Sequence, residues 1–226
     1  MPFSRRSVDF LIENILHDSR EWYAEHKAEY REVVTVPMTE LMEALRPTLA
    51  KIDERIECDT RRISRIYRDA RYIRGGSMFR DNVWCSFAWG RGTCDCPVEL
   101  YFDFSPEGYS YGVGWYNTPP SVVSALRQLI KERTPSFIAA KKAFEQQKVF
   151  EMGGDIYKRD RFPDDPADVK LWLNRRSIYF HRDSADWELF CSDRLAQQVA
   201  QDFMLIAPVV RFLGECQERE IMNRLD

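Results

Sequence analysis

The residues best equipped for chemistry lie between Arg61 and Arg91. That stretch holds Arg61, Arg62, Arg65, Arg68, Arg71, Arg74, Arg80 and Arg91 against Asp69 and Asp81. The local excess is 8 − 2 = +6, in a 226-residue chain of formal net charge −3. No lysine occurs between Lys51 and Lys131, so the positive charge is all guanidinium. A guanidinium is a planar fork that grips carboxylate or phosphate through paired hydrogen bonds and stacks on aromatic rings. Tyr67, Tyr72, Phe79, Trp84, Phe87 and Trp89 supply such rings. This pattern points to an anion site in which Arg65, Arg68, Arg71 and Arg80 of the arginine segment form one wall, and the aromatics Trp22, Tyr72 and Tyr116 form the rest. A structural ion-pair network explains the same residues, with Glu40, Glu43 and Glu54 on the helices as partners. Both readings stay open at this level.

Glu21 and Asp69 are the candidates for an acid or base, and whether the protein is an enzyme is left open. Glu21 has a plainer account: a carboxylate in the first turn of a helix satisfies free backbone donors and the macrodipole. Pairing of Glu21 with Arg68 or Arg71 would explain both motifs without any reaction. Gly112 and Gly114 alternate within a strand pattern instead of sitting between strand and helix, so they read as close-approach positions and not as a phosphate loop. Cys94-x-Cys96, with Cys85 upstream, lacks the second ligand pair of a structural zinc site, and no metal or cofactor is expected. His17, His26 and His181 have no triad context, and no P-loop, nucleophile elbow or H-E-x-x-H motif occurs. Asp160, Asp164, Asp165 and Asp168 lack EF-hand spacing and read as a solvated acidic loop.

The elements that must position these groups follow from periodicity. Val8, Leu11, Ile12 and Ile15 predict a helix with Ser7 as N-cap and Phe3 as hydrophobic staple. A second helix starts at Asp18–Glu21 and carries Trp22, Tyr23, His26, Tyr30 and Val33. Pro37 opens a third, through Met38, Leu41, Met42, Leu45, Leu49 and Ile52, with a kink or break expected at Pro47. Residues 83–89, 98–104 and 109–115 alternate with period two between turn sequences, which predicts an antiparallel meander. The arginine segment before it fits neither period cleanly. Helices are expected after Pro119–Pro120 and from Ser136, the latter carrying Phe137, Ala140, Phe144 and Phe150. A loop spans 153–166, a strand 171–181, and an amphipathic helix 193–219 with an irregularity at Pro208. The fold class is therefore α+β: one domain over 1–226, helical at 1–56, sheet-rich at 60–117, with helices and a strand at 119–219. The meander packs against the N-terminal and C-terminal helices.

Composition narrows the class. Hydrophobic residues at 44% supply a core and charged residues at 31% a solvated surface. Near-balanced charge disfavours a general nucleic-acid coat protein. No run approaches the ~20 apolar residues of a membrane span. Asp9, Glu13 and Asn14 interrupt the apolar N-terminal stretch as no export signal would, and six irregularly spaced cysteines suit free thiols in the cytoplasm.

FLIENILHDSREWYAEHKAEY, RISRIYRDARY, GVGWYNTP, LRQLI, and RFPDDP followed by LNRRSIYF occur in this order. Together they resemble a mostly bacterial family, domain of unknown function 2461, across nearly the whole chain. The most specific pieces are Arg20-Glu21-Trp22, Arg68-Asp69-x-Arg71-Tyr72 and Gly114-x-Tyr116-x-x-Pro119. His17, Asp18 and Ser19 stand where members usually carry consecutive asparagines. Phe79-Arg80 takes the place of a Tyr-Lys pair, and Asp165-Pro166 replaces an Asp-His-Pro. The resemblance implies a single domain and names no reaction.

The functional expectation is a cytoplasmic protein that binds a small anionic ligand through the Arg/aromatic cluster. The alternative is an interaction module that docks a protein, or less readily single-stranded nucleic acid, on the same surface. A recessed cluster would favour the first and an exposed stripe the second.

Overall fold

The computed structural model describes residues 3–69, 71, 76–89, 97–115 and 117–225. Helix α1 (Arg5–His17) begins one turn earlier than its periodicity suggests. Its N-cap is Ser4 and Ser7 is the N3 residue of the capping box, so Ser7 does not cap the helix itself. Phe3 is buried, packing on Phe102, Phe104 and Phe190. Asp18 takes the left-handed conformation, and Ser19 then caps α2 (Arg20–Tyr30) by accepting from the Trp22 amide.

Helix α2 does not stop where α3 starts. A π-helical turn at Arg31–Thr35 joins it to α3 (Val36–Ile52). Pro37 has no N–H to continue the α ladder, and the wider turn just before it absorbs the mismatch. The break expected at Pro47 is absent, because α3 runs through it. Pro47 lies on the exposed side, where water can satisfy the carbonyl it leaves, while Leu45, Leu49 and Ile52 stay buried.

The sheet has strand order β1-β2-β3-β4-β6-β5. Its strands are β1 (Ile56–Glu57), β2 (Val83–Trp89), β3 (Glu99–Ser105), β4 (Gly108–Gly114), β5 (Glu151–Gly153) and β6 (Tyr179–Ser184). All pairings are antiparallel, and β2–β3–β4 is the predicted meander. The ambiguous arginine segment is extended: Ile63 bridges Cys85 and Tyr67 bridges Phe79.

Helices α4 (Pro120–Lys131) and α5 (Pro135–Gln146) both pack on α9 (Ala207–Leu225), while α3 packs on α8 (Leu195–Leu205). Helix α5 ends before Phe150, which is buried in the approach to β5. The strand expected at 171–181 is half helix: Pro166 opens α6 (Ala167–Leu173), and β6 begins only at Tyr179. Val169, Trp172 and Leu173 explain the difference, since a single turn of helix buries all three on one side. A short α7 (Trp187–Phe190) follows β6. The C-terminal helix is broken at Ile206, two residues before Pro208, into α8 and α9.

One face of the sheet carries the core. Phe102, Phe104, Tyr111 and Phe180 are buried, with Phe203 of α8 edge-on to Tyr111. Asp202 of α8 is nearly fully buried, accepting from Tyr111 Oη (2.5 Å), Arg182 Nη1 (2.5 Å) and Gln198 Nε2 (3.0 Å). That network pins α8 to β4 and β6.

Candidate functional site

The arginine segment forms an arm on the β2 edge. Ser86 N donates to Arg62 O (3.2 Å) and Ser64 N to Trp84 O (2.7 Å). Farther out, Arg68 N donates to Met78 O and Arg80 N to Ile66 O, both at 2.8 Å, closing a second pair of extended segments. The α1–α2 junction holds this arm: Asp18 Oδ1 accepts from Ser77 Oγ (2.6 Å) and Met78 N (2.9 Å). Tyr23 packs edge-on to Tyr67.

Most of the arm's arginines are already engaged. Arg61 binds Asp59 (2.9 Å), Arg62 binds Glu99, and Arg71 binds Asp69 (2.7 Å). Asp59 and Glu99 lie outside the stretch whose +6 excess motivated a site, so the fold cancels part of that excess. Arg68 reaches the Phe79 carbonyl (3.4 Å) and lies 3.7 Å from Asp81. Arg80 sits over the Trp84 ring at 4.7 Å. The arm is open: the Arg71 side chain is 79% exposed, Tyr67 is 39% exposed, and Arg65 points into solvent.

Of the remaining expected site residues, Glu21 and Trp22 lie on α2 and Asp69 lies in the arm. Trp22 is sandwiched between His17 and His26, at 4.7 and 4.1 Å, with Phe10 beside it. Glu21 is exposed, and its carboxylate accepts from Ser19 Oγ (2.8 Å). Its own backbone N–H and Ser19 hold that carboxyl below its ordinary range, as expected of a capping anion. The hydrogen bond from Arg71 pulls Asp69 down to about 2, which makes it a fixed anion and a poor base. Glu43 pairs with Arg46 on its own helix (2.8 Å) and not with the arm. Tyr72 and Tyr116, with Arg74, Arg91, Cys94 and Cys96, lie outside the described residues.

A second arginine cluster is built on the loop between β5 and α6. Ile156 bridges Arg175, Tyr157 N donates to Asn174 O (3.0 Å), and Arg176 N donates to Asp155 O (2.7 Å). Arg175 is buried and staples the loop to β5 through the carbonyls of Gly154 (2.7 Å) and Met152 (3.0 Å). These bonds shape a cavity of about 750 Å³ lined by Asp155, Tyr157, Lys158, Arg159, Arg161 and Arg176, with Ile156 at its wall. Arg161 lies 4.0 Å over the Tyr157 ring and Arg176 6.0 Å from it. Arg127 of α4, fixed on the carbonyls of Leu173 (3.1 Å) and Arg175 (2.8 Å), completes the surround. The hydrogen bond from Arg127, with the charges of Arg127, Arg161 and Arg176, lowers the Tyr157 hydroxyl below its ordinary range.

Three acids of this region are spent elsewhere. Asp160 accepts from Asn174 (2.8 Å) and pairs with Lys170 (3.1 Å); Asp165 pairs with Lys131 (3.2 Å), and Asp168 with Arg133 (3.2 Å). Lys158, Arg159, Arg161 and Arg176 consequently have no carboxylate within ion-pair distance among the described residues. With Asp155 as the one acid lining the cavity, the balance is 4 − 1 = +3. Along the chain this loop reads as acidic, through Asp160, Asp164, Asp165 and Asp168. The signal available was Tyr157-Lys158-Arg159-x-Arg161 followed by Arg175-Arg176, hidden by the intervening aspartates. A smaller recess of about 450 Å³, lined by Arg46, Cys58, Asp59 and Arg61, has its arginines paired, and burial pushes the Cys58 thiol up.

The sheet face opposite the core holds a third group, also unforeseen. Asp103, Ser110 and Asp183 stand in one cross-strand row, and Tyr101, Gly112 and His181 in the next. Tyr101 Oη lies 3.3 Å from Ser110 Oγ, and His181 Nε2 lies 3.6 Å from Asp183. Burial, then the charge of Asp183, pushes the Asp103 carboxyl up to about 7. The row can therefore hold a proton near neutrality. It became visible only once β6 was placed at 179–184.

The profile of a family described as conserved hypothetical protein (DUF2461) matches residues 6–212. No curated protein and no solved structure matches the chain.

Proposed function

Because the chain belongs to the DUF2461 family of conserved hypothetical proteins, whose description names no reaction, we propose its function from geometry: it binds a small phosphate- or carboxylate-bearing ligand in the Tyr157 cavity. One observation carries this reading: Lys158, Arg159, Arg161 and Arg176 line one surface recess, and among the described residues none of them has a carboxylate partner. Keeping such charges together costs repulsion that an anion would relieve. The volume falls in the range of small-molecule sites. The described cysteines Cys58, Cys85, Cys191 and Cys216 are free, and no described helix is long and apolar enough to cross a membrane. Free thiols suit the reducing cytoplasm, where we place the protein.

Thermal shift against phosphate- and carboxylate-bearing anions tests the proposal. An anion at about 100 times its Kd adds ~2.7 kcal/mol, or roughly 5–10 °C at this size. K158E/R159E should abolish the shift. A flat panel, or a shift that survives the charge reversal, refutes the reading.

The exposed arm supports a second reading, in which Arg65, Tyr67 and Arg68 dock a macromolecule. Oligonucleotide binding that falls steeply with salt and disappears in R65E/R68E would favour it. Salt-tolerant anion binding lost in K158E/R159E would favour the cavity.

A further inference from the structure

Resting on the cavity reading above, we infer that the ligand is an organic diphosphate, held by Arg159, Arg161 and Arg176 acting as three separate forks. Each guanidinium presents its N–H groups in a fixed plane and grips two oxygens at once. The Arg161 guanidinium lies over the Tyr157 ring, 4.0 Å from its centroid, and among the described residues its side chain makes no hydrogen bond or ion pair, which leaves its donors available. Arg159 and Arg176 line the same cavity, and among the described residues neither has a carboxylate in ion-pair reach.

A monocarboxylate has two oxygens and one charge. It satisfies one fork and leaves most of the +3 excess in place. A phosphate monoester carries about −1.5 to −2 and can occupy two forks. A diphosphate presents two phosphoryl groups at once, so it can fill three forks and come nearest to balancing the cavity. Lys158, a mobile point charge, suits the outer phosphoryl group. At about 750 Å³ the cavity has room for an organic group beyond the phosphates. Ile156, which is 53% exposed beside it, offers the apolar wall.

Stacking of a base on Tyr157 is not part of this reading. Arg161 already occupies one face of that ring, and Arg127 is 5.2 Å from its centroid. The organic group is therefore held by shape and apolar contact, whereas the diphosphate carries the recognition.

Calorimetry with inorganic pyrophosphate, inorganic phosphate and citrate, on the full chain, tests the claim. Citrate matches the charge of a diphosphate without its geometry. Pyrophosphate should bind at least about tenfold more tightly than either of the others, roughly 1.4 kcal/mol. R161K/R176K keeps the charge and removes two forks, so it should erase the preference for pyrophosphate over citrate while weak binding of both persists. Equal affinities, or citrate binding most tightly, overturn the diphosphate assignment and leave the anion site standing. No binding by any of the three overturns both. Unchanged pyrophosphate preference in R161K/R176K overturns the role of the forks.

Discussion

Asp103→Asn should stabilise the protein above neutral pH and leave it unchanged in acid. In the folded chain the carboxyl is raised from 3.8 to about 7, first by burial and then by Asp183 two strands away. The folded state therefore binds the proton more tightly than the unfolded chain does. Stability from this group is complete below about pH 4 and is lost as pH rises towards 7. Taken at face value, the difference corresponds to about 4.4 kcal/mol at 1.36 kcal/mol per pH unit. Asp103 is only part-buried, and water at the open sheet face reduces the penalty to roughly 2–3 kcal/mol. Asparagine keeps the shape and has no charge to desolvate. Urea unfolding, followed by the fluorescence of the six tryptophans, should give equal midpoints for the two proteins near pH 4. By pH 8 the variant should be about 2–3 kcal/mol more stable, or roughly 5–10 °C in Tm. A difference that stays constant from pH 4 to 8 would refute the assignment of a raised carboxyl. Asp183→Asn should make this loss smaller and complete at lower pH, since it removes the charge that helps raise the Asp103 carboxyl while the burial remains.

Two further substitutions probe the frame that holds these groups. Gly112→Ala would place a Cβ 2.0 Å from the Phe180 carbonyl oxygen and 3.0 Å from His181 Cα. Backbone cannot yield cheaply there, so a loss of more than about 3 kcal/mol is expected by the same logic as core overpacking, read as a reduced urea midpoint or failure to fold. Asp202→Ala removes the buried acceptor of Tyr111, Arg182 and Gln198. Leaving Arg182 unpaired should cost about 3–5 kcal/mol, and equilibrium unfolding near neutral pH measures it. Asp202→Asn should cost less, since it keeps an oxygen for one of the donors.

The meander was legible in the chain because period-two alternation in β3 puts Leu100, Phe102 and Phe104 on one face whatever surrounds it. The same local logic found α1, α2 and α4, whose apolar spacing needs no distant partner, though it set the α1 cap three residues late. It failed at residues 171–181, where the β-rich composition of Ile178, Tyr179 and Phe180 masked a helical turn set by Pro166 and buried through Trp172. It also missed the continuity of α2 and α3, since a π-helical turn leaves no distinct composition.

For function, the sequence by itself determined where the guanidinium groups lie along the chain and how much charge each segment carries. It could not determine which charges remain free, because ion pairing joins residues far apart in the chain. Arg62 finds Glu99 only across the sheet, and Asp165 and Asp168 find Lys131 and Arg133 only when α4 packs beside α6. Tertiary structure thereby neutralised part of the most basic segment and left unneutralised a loop that had read as acidic. The physical reason is that a Coulomb interaction at 3–4 Å depends on position in space, whereas a charge count along the chain records only which side chains exist.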